Sequence, residues 1–325
     1  MNLLLRVTGL ALSLAMCSFT AGKADAQSYP SKPIRAIVAF APGGGTDVYA
    51  RLIMARLAER MDQARIVVDN RPGGGGYIGA EMVAKAPADG YTVLFTAANI
   101  VMSLKLFPKQ PVDPMRDFQP VSMLVKEPSL LAVHPSLPAK SVKELIALGR
   151  ANPGKINYGG GHGTSSHLNT ELFKMMANVN FVQVPYSGGT GPAVIGALVG
   201  EAPVVIAPIS AALQHAKSGR LRGLAITLPE RAAALPEYPA VAETLPGYAA
   251  FQWYGVLVRA GTPAEIVNTL HAELVKVMQA PDLRARIESE GSVPSSTTPQ
   301  EFAAHMRTET VKWAKVVEVS GAHID

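Results

Sequence analysis

Residues 34–47 read IRAIVAFAPGGGTD, a short apolar run followed directly by a glycine-rich loop. In the next stretch Tyr49, Ile53, Leu57 and Met61 recur at every fourth position, which predicts an amphipathic helix. Further short apolar runs follow at residues 66–69 and 91–95. A strand, a helix and a strand in this order predict parallel α/β units.

A second set of the same units follows along the chain. Strands are predicted at residues 156–158, 181–184, 203–207 and 221–226, with helices at 141–150, 168–176 and 192–199. An extended apolar stretch at 123–133 separates the first set from the second, and another at 251–258 separates the second set from three C-terminal helices. Both stretches are candidate crossovers between lobes. We expect a discontinuous lobe 1, residues 27–128 plus 255–325, and an inserted lobe 2, residues 129–254. Capping boxes are expected at Ser141, Thr262 and Thr298.

The first 26 residues predict secretion. A basic start, an apolar run at residues 7–16 and the small residues before Gln27 are typical of a signal peptide cleaved after Ala26. Cys17 leaves lipid attachment open as an alternative, which the bulky Met16 before it disfavours. Cleavage after Ala26 removes this single cysteine, so no disulfide is expected in the mature chain.

The charge pattern argues against nucleic acid as a partner. The chain carries a formal net charge of +5, but its basic residues are scattered and form no stripe. A mildly positive protein suits an anionic small molecule, although this balance alone is weak support.

Three glycine-rich loops each stand between a predicted strand and a predicted helix: loop 1 at residues 40–47, loop 2 at 158–167 and loop 3 at 185–191. In an open parallel sheet, ligands bind at the carboxyl ends of the strands. Glycines let backbone N–H groups approach a ligand closely, and a helix N-terminus attracts anions. Loop 2 also offers hydroxyl donors. The expected ligand is therefore an anion. A fourth glycine run, 73–76, is interpreted as a structural turn.

Catalytic and cofactor sites are not expected. Loop 1 lacks the Gly-x-Gly-x-x-Gly fingerprint, and no loop continues into the Gly-Lys-Ser/Thr of a P-loop. Ser165 or Ser166 with His162 or His167 leaves a hydrolase as an alternative, but no nucleophile elbow or orienting acid is evident. No metal-ligand set accompanies these histidines.

Seven landmarks occur in order along the chain: PGGGTD at 42–47, NRPGGGG at 70–76, DGYT at 89–92, SSHL at 165–168, VPY at 184–186, WYG at 253–255 and GTP at 261–263. Through them the chain resembles, from end to end, the substrate-binding proteins of tripartite tricarboxylate transporters, the Bug family. The resemblance implies a two-lobed periplasmic binding protein, type II-like, with a mainly parallel sheet flanked by helices in each lobe. It also implies a monomer that closes on a small carboxylate and delivers it to a large and a small membrane permease subunit.

The resemblance, together with the loops, gives the expected ligand-binding residues. They are Pro42, Gly43, Gly44, Gly45, Thr46, Asp47, Ala98, Asn99, Thr164, Ser165, Ser166, Ser187, Gly188, Gly189, Ala207 and Trp253. Asp47 has a competing interpretation as a partner of the helix dipole, and Trp253 as a packing residue.

The sequence departs from the family at Ala207, where an acid is usual. Loss of that acid disfavours a ligand with an ammonium group and favours a dicarboxylate or aromatic carboxylate. A sensor that binds the same ligands stays open as an alternative to transport.

Overall fold

The computed structural model describes residues 29–62, 64–161, 164–186 and 190–321. Every element below belongs to the unit formed by residues 32–325. The predicted signal peptide, Cys17, His162 and the three loop 3 residues Ser187, Gly188 and Gly189 lie outside the described residues.

The first sheet begins with three parallel strands. They are β1 (Ile34–Val38), β2 (Ile66–Asn70) and β3 (Thr92–Ala97), with β1 in the middle. Helices α1 (Gly45–Arg60) and α2 (Tyr77–Ala84) connect them in turn, as the sequence predicts. Three further strands join antiparallel: β4 (Phe118–Val133), β9 (Phe251–Arg259) and the short β10 (Val293–Pro294).

The second sheet contains the predicted inserted units. Its strands besides β4 are β5 (Ile156–Gly160), β6 (Phe181–Pro185), β7 (Val204–Pro208) and β8 (Arg222–Ile226). β5 runs parallel to both β6 and β7, while β7 and β8 lie antiparallel to β4. The complete order is β2-β1-β3-β9-β4-β7-β5-β6, with β8 and β10 also paired to β4.

Strand β4 belongs to both sheets. Residues 118–128 pair with β9, and residues 129–133 pair with β7 and β8. Most of its side chains are buried. A strand that is buried on both faces reads as a nearly continuous apolar run, which is why residues 123–133 stood out in the sequence. This stretch is a crossover, as predicted.

The remaining helices pack around the two sheets. They are α3 (Asn99–Met102), α4 (Pro114–Asp117), α5 (Val142–Ala151), α6 (Ser165–Ala177), α7 (Thr190–Leu198), α8 (Ile209–Lys217), α9 (Ala264–Met278), α10 (Pro281–Ser289) and α11 (Pro299–Ser320). Short 3₁₀ turns occur at Gly74–Gly76, Leu104–Leu106 and Val241–Glu243.

Two of the three predicted helix caps are confirmed. Ser141 accepts a hydrogen bond at the start of α5, and Thr298 forms a capping box with Glu301 at the start of α11. The prediction for Thr262 is wrong, because the cap position of α9 is Pro263. The Thr262 hydroxyl instead donates to the Arg259 carbonyl at 2.7 Å and closes the turn after β9.

Candidate functional site

The carboxyl ends of the parallel strands in both sheets meet at residues 125–129 of β4, the crossing segment. Ala97 at the end of β3 pairs with Tyr254 of β9, which pairs in turn with Val125. Pro208 at the end of β7 pairs with Ser129. Four residues of strand span about 13 Å, so both sets of strand ends lie close together. Because ligands bind outside such ends, the crossing segment marks the candidate site.

Loop 1 exposes backbone donors at the start of α1. Residues 42–45 are exposed, whereas Thr46 and Asp47 are buried. The cap residue of the helix is Gly44, and no side chain caps it. Gly43 has φ of +83°, a conformation that glycine adopts without strain. Since the first N–H groups of a helix lack partners within the helix, this start is suited to an anion.

Asp47 holds loop 1 in shape. Its carboxylate accepts hydrogen bonds from the backbone N–H of Gly43 and from Nδ2 of Asn70, both at 2.9 Å, and forms an ion pair with Arg51. Burial opposes ionisation, but these donors outweigh it and hold the pKa of Asp47 below its ordinary value. The side chain thus has an internal role, and its predicted contact with a ligand stays a prediction.

Tyr254 closes one side of loop 1. A Cβ atom added to Gly45 would lie 2.7 Å from the Tyr254 hydroxyl, so the approach requires glycine. The Tyr254 hydroxyl donates to the buried carboxylate of Glu127, within the crossing segment. Sequence reasoning missed Glu127, because a single acid in an apolar strand carries no motif.

Loops 2 and 3 are joined by a chain of hydroxyls. Thr164 caps α6, and its Oγ1 lies 2.8 Å from Oγ of Ser166. Ser166 is fully buried and lies 3.5 Å from Oγ1 of Thr190, the first residue of α7. Ser165 is partly exposed beside them. Among these hydroxyls, sequence reasoning missed that of Thr190, since loop 3 was expected to bind through Ser187.

Ala98 and Asn99 follow β3 as predicted. Ala98 is buried, and its N–H donates to the Trp253 carbonyl at 3.0 Å. The partly exposed Asn99 accepts a hydrogen bond at Oδ1 from Nε2 of Gln252. Gln252 lies opposite Glu127 in the register of β4 and β9, so Asn99 is connected to the crossing segment.

Trp253 and Ala207 are fully buried. Side chains alternate along a strand, so Trp253 faces away from Tyr254 and packs at 5.0 Å between ring centroids on Phe302 of α11. Of this aromatic pair, Tyr254 is therefore the residue beside loop 1. Ala207 pairs with Leu130 inside the second sheet. The predicted ligand contacts of Trp253 and Ala207 stay predictions.

The described residues contain neither a metal-ligand cluster nor a membrane-spanning helix. Within residues 29–321, apart from the gaps named above, no three His, Cys, Asp or Glu side chains cluster as metal ligands would. Over the same described parts of the chain, no helix is long and apolar enough to cross a membrane.

A strand shared by two α/β sheets, with helix starts gathered at the strand ends, defines a two-lobed binding protein of the periplasmic type. The profile of the tripartite tricarboxylate transporter family receptor matches residues 49–322, and the chain belongs to this family.

Relatives across the family support the same fold. Protein BugT of Bordetella pertussis is 35% identical over 100% of this chain and 99% of its own length. The structure of R. palustris Rpa4515 with adipate is 35% identical with a TM-score of 0.75, covering 91% of this chain and 100% of that chain. The structure of MatC from Rhodopseudomonas palustris with bound malate is 29% identical with a TM-score of 0.71, covering 89% and 100%.

Proposed function

We propose that this protein is a periplasmic receptor that binds a small carboxylate, by preference a dicarboxylate, between two lobes. It delivers the ligand to the large and small membrane subunits of a tripartite transporter. The receptor acts as a monomer, is exported by the signal peptide at residues 1–26 and has no enzymatic activity.

The observation that carries this proposal is the start of α1. A helix of 16 residues begins at exposed glycines with no side-chain cap. Its free N–H groups and the positive end of its dipole favour a carboxylate oxygen. An anion there would accept hydrogen bonds from N–H groups that have no partner within the helix.

The hydroxyls of loops 2 and 3 are the proposed partners in the other lobe. Thr164, Ser165 and Thr190 are partly exposed at the starts of α6 and α7, and Ser166 connects them. With the predicted contacts of Ser187, Gly188 and Gly189, they would bind a second group of oxygens. We place the lobes at residues 27–128 plus 255–325 and 129–254, with closure about the crossing segment.

A dicarboxylate is supported by the ligands in the two related structures, adipate and malate. It is also supported by the chemistry of the site. Ala207 supplies no acid for an ammonium group, and both oxygens of Glu127 already accept hydrogen bonds from Ser210 and Tyr254. An amino acid ligand therefore lacks a free carboxylate partner among these groups.

A thermal-shift screen tests the proposal. The purified chain is heated with aliphatic and aromatic mono-, di- and tricarboxylates, and with aspartate and glutamate as controls. At 100 times Kd a ligand stabilises the folded state by about 2.7 kcal/mol, which is a clear rise in Tm. We expect this rise for dicarboxylates, and proton NMR of each mixture should show the ligand unchanged.

Two outcomes contradict the proposal. Tight binding of aspartate or glutamate, with no binding of the carboxylates that lack an amino group, would overturn the proposed ligand class. If the wild type consumes a ligand and the Ser165→Ala variant does not, the protein is a hydrolase and not a receptor.

A further inference from the structure

Glu127 is a buried acid at the centre of the crossing segment. Its side chain is nearly inaccessible, with a relative exposure of 5%. Oε2 accepts a hydrogen bond from the Tyr254 hydroxyl, and Oε1 accepts one from Oγ of Ser210 at 2.7 Å. A buried carboxylate is costly unless its oxygens are hydrogen-bonded, and here both of them are.

The two donors come from different sides of the fold. Tyr254 lies on β9, which pairs with β3 and β4 in the first sheet. Ser210 is the second residue of α8, which follows β7 of the second sheet. The carboxylate of Glu127 is therefore a direct link between the two halves of the fold.

On the side of the first sheet, the link reaches loop 1. The Tyr254 hydroxyl occupies the space where a Cβ of Gly45 would stand, at 2.7 Å. The Tyr254 ring also packs on Tyr49 of α1, with 4.8 Å between ring centroids. A shift of the Tyr254 hydroxyl would therefore change the geometry of the exposed start of α1.

On the side of the second sheet, the link reaches a helix start that lacks its own cap. The cap residue of α8 is Pro208, whose own side chain makes no capping hydrogen bond. The Glu127 carboxylate approaches this start through Ser210, where a negative charge is favourable. Burial raises the pKa of Glu127, against the hydrogen bonds from Tyr254 and Ser210, and the nearby Glu290 adds to the rise.

We propose that Glu127 is a positioning residue that couples loop 1 to α8, so that the geometry of the anion-binding loop in one lobe depends on a contact with the other lobe. Glu127 does not touch the ligand in this scheme and acts through Tyr254. The effect on ligand affinity rests on the proposed function, whereas the coupling itself does not.

The first test uses the ligand-free full chain. Hydrogen exchange is measured by mass spectrometry in peptides covering residues 40–50 and 208–214 of the wild type and the Glu127→Gln and Tyr49→Phe variants. Tyr49→Phe is the matched control, because it removes a buried hydroxyl that donates to Ser292, not to Glu127, and it keeps the ring that packs beside Tyr254. Glu127→Gln should speed exchange in both peptides, and Tyr49→Phe should leave residues 208–214 unchanged.

An acid that only stabilises its own surroundings would give a different pattern. Faster exchange confined to residues 208–214 would reduce Glu127 to a cap of α8 and overturn the coupling. The coupling is also overturned if Glu127→Gln and Tyr49→Phe both speed exchange in both peptides, in proportion to the fall in Tm that each variant causes.

The second test measures Kd for adipate and malate in Glu127→Gln, Tyr254→Phe and the double variant. Each single change should weaken binding about tenfold, a size typical of couplings between sites. The double variant should be no weaker than the weaker single variant, because both changes break one link. A loss of affinity in the double variant that equals the product of the two single losses would contradict the proposal. If the wild type binds neither acid, the proposed ligand class fails, and the exchange experiment alone decides the coupling.

Discussion

Helices α1 and α6 both start at the candidate site, but they present different chemistry there. α1 begins at exposed glycines, has no side-chain cap and is braced by the ionised Asp47. α6 is capped by Thr164, has no acid in its first turn and continues into the hydroxyl chain of Ser166 and Thr190. The first start offers bare N–H groups in a fixed loop, and the second offers hydroxyls that can rotate. One carboxylate can thus be held by each kind of donor.

The largest effect is expected from a methyl group on loop 1. Gly45→Ala places Cβ 2.7 Å from the Tyr254 hydroxyl, which is buried and bonded to Glu127. Overpacking of this kind costs about 3 kcal/mol at the upper end of its range, and the free energy of unfolding in urea measures it. At Gly44 an added Cβ meets nothing closer than 3.7 Å, so Gly44→Ser is the matched control and should be nearly neutral.

Tyr254→Phe should partly rescue Gly45→Ala, because it removes the clashing oxygen. The double variant should therefore be less destabilised than the two single changes added together. Strict additivity would show that the Tyr254 hydroxyl does not press on loop 1.

A smaller effect is expected from the brace of loop 1. Asp47→Asn replaces charged hydrogen bonds and should cost about 2 kcal/mol at neutral pH. The folded pKa of Asp47 is lowered, so its stabilisation is present above the unfolded pKa of about 3.9 and is lost as pH falls through the folded value. The difference in unfolding free energy between wild type and variant should shrink towards pH 3.

Glu230→Gln, at an exposed residue, is the control for this pH series and should leave the curve unchanged. A difference for Asp47→Asn that stays constant from pH 7 to pH 3 would show that the charge of Asp47 does not stabilise the fold.

The smallest effect is expected from the cap of α6. Thr164→Ala removes the side-chain cap and should cost about 1 kcal/mol, measured by urea unfolding. Thr164→Ser keeps the hydroxyl and should restore most of this loss. An unchanged stability in Thr164→Ala would remove the contrast between the two helix starts.

The sequence predicted those parts of the molecule that depend on local patterns. The apolar period located β1 and α1, and the glycines after β1 located the exposed start of α1. Contacts between distant residues left no such pattern. Glu127 meets Ser210 and Tyr254 at separations of 83 and 127 residues, and Gln252 meets Asn99 at 153. The cap predicted at Thr262 failed because a threonine before Pro263 can bond backwards to β9 as readily as forwards to a helix.

The most direct test of the account is a calorimetric titration of adipate and malate into the wild type, Gly44→Asn and Gly44→Asp. Both variants add a side-chain cap to α1, and the added Cβ comes no closer than 3.7 Å to another atom. Only the side chain introduced by Gly44→Asp carries a negative charge where the ligand carboxylate is expected. We predict binding by the wild type, modestly weaker binding by Gly44→Asn, and a loss of at least about 100-fold in Gly44→Asp from like-charge repulsion. Equal affinities of the two variants would contradict the claim that the start of α1 holds the carboxylate.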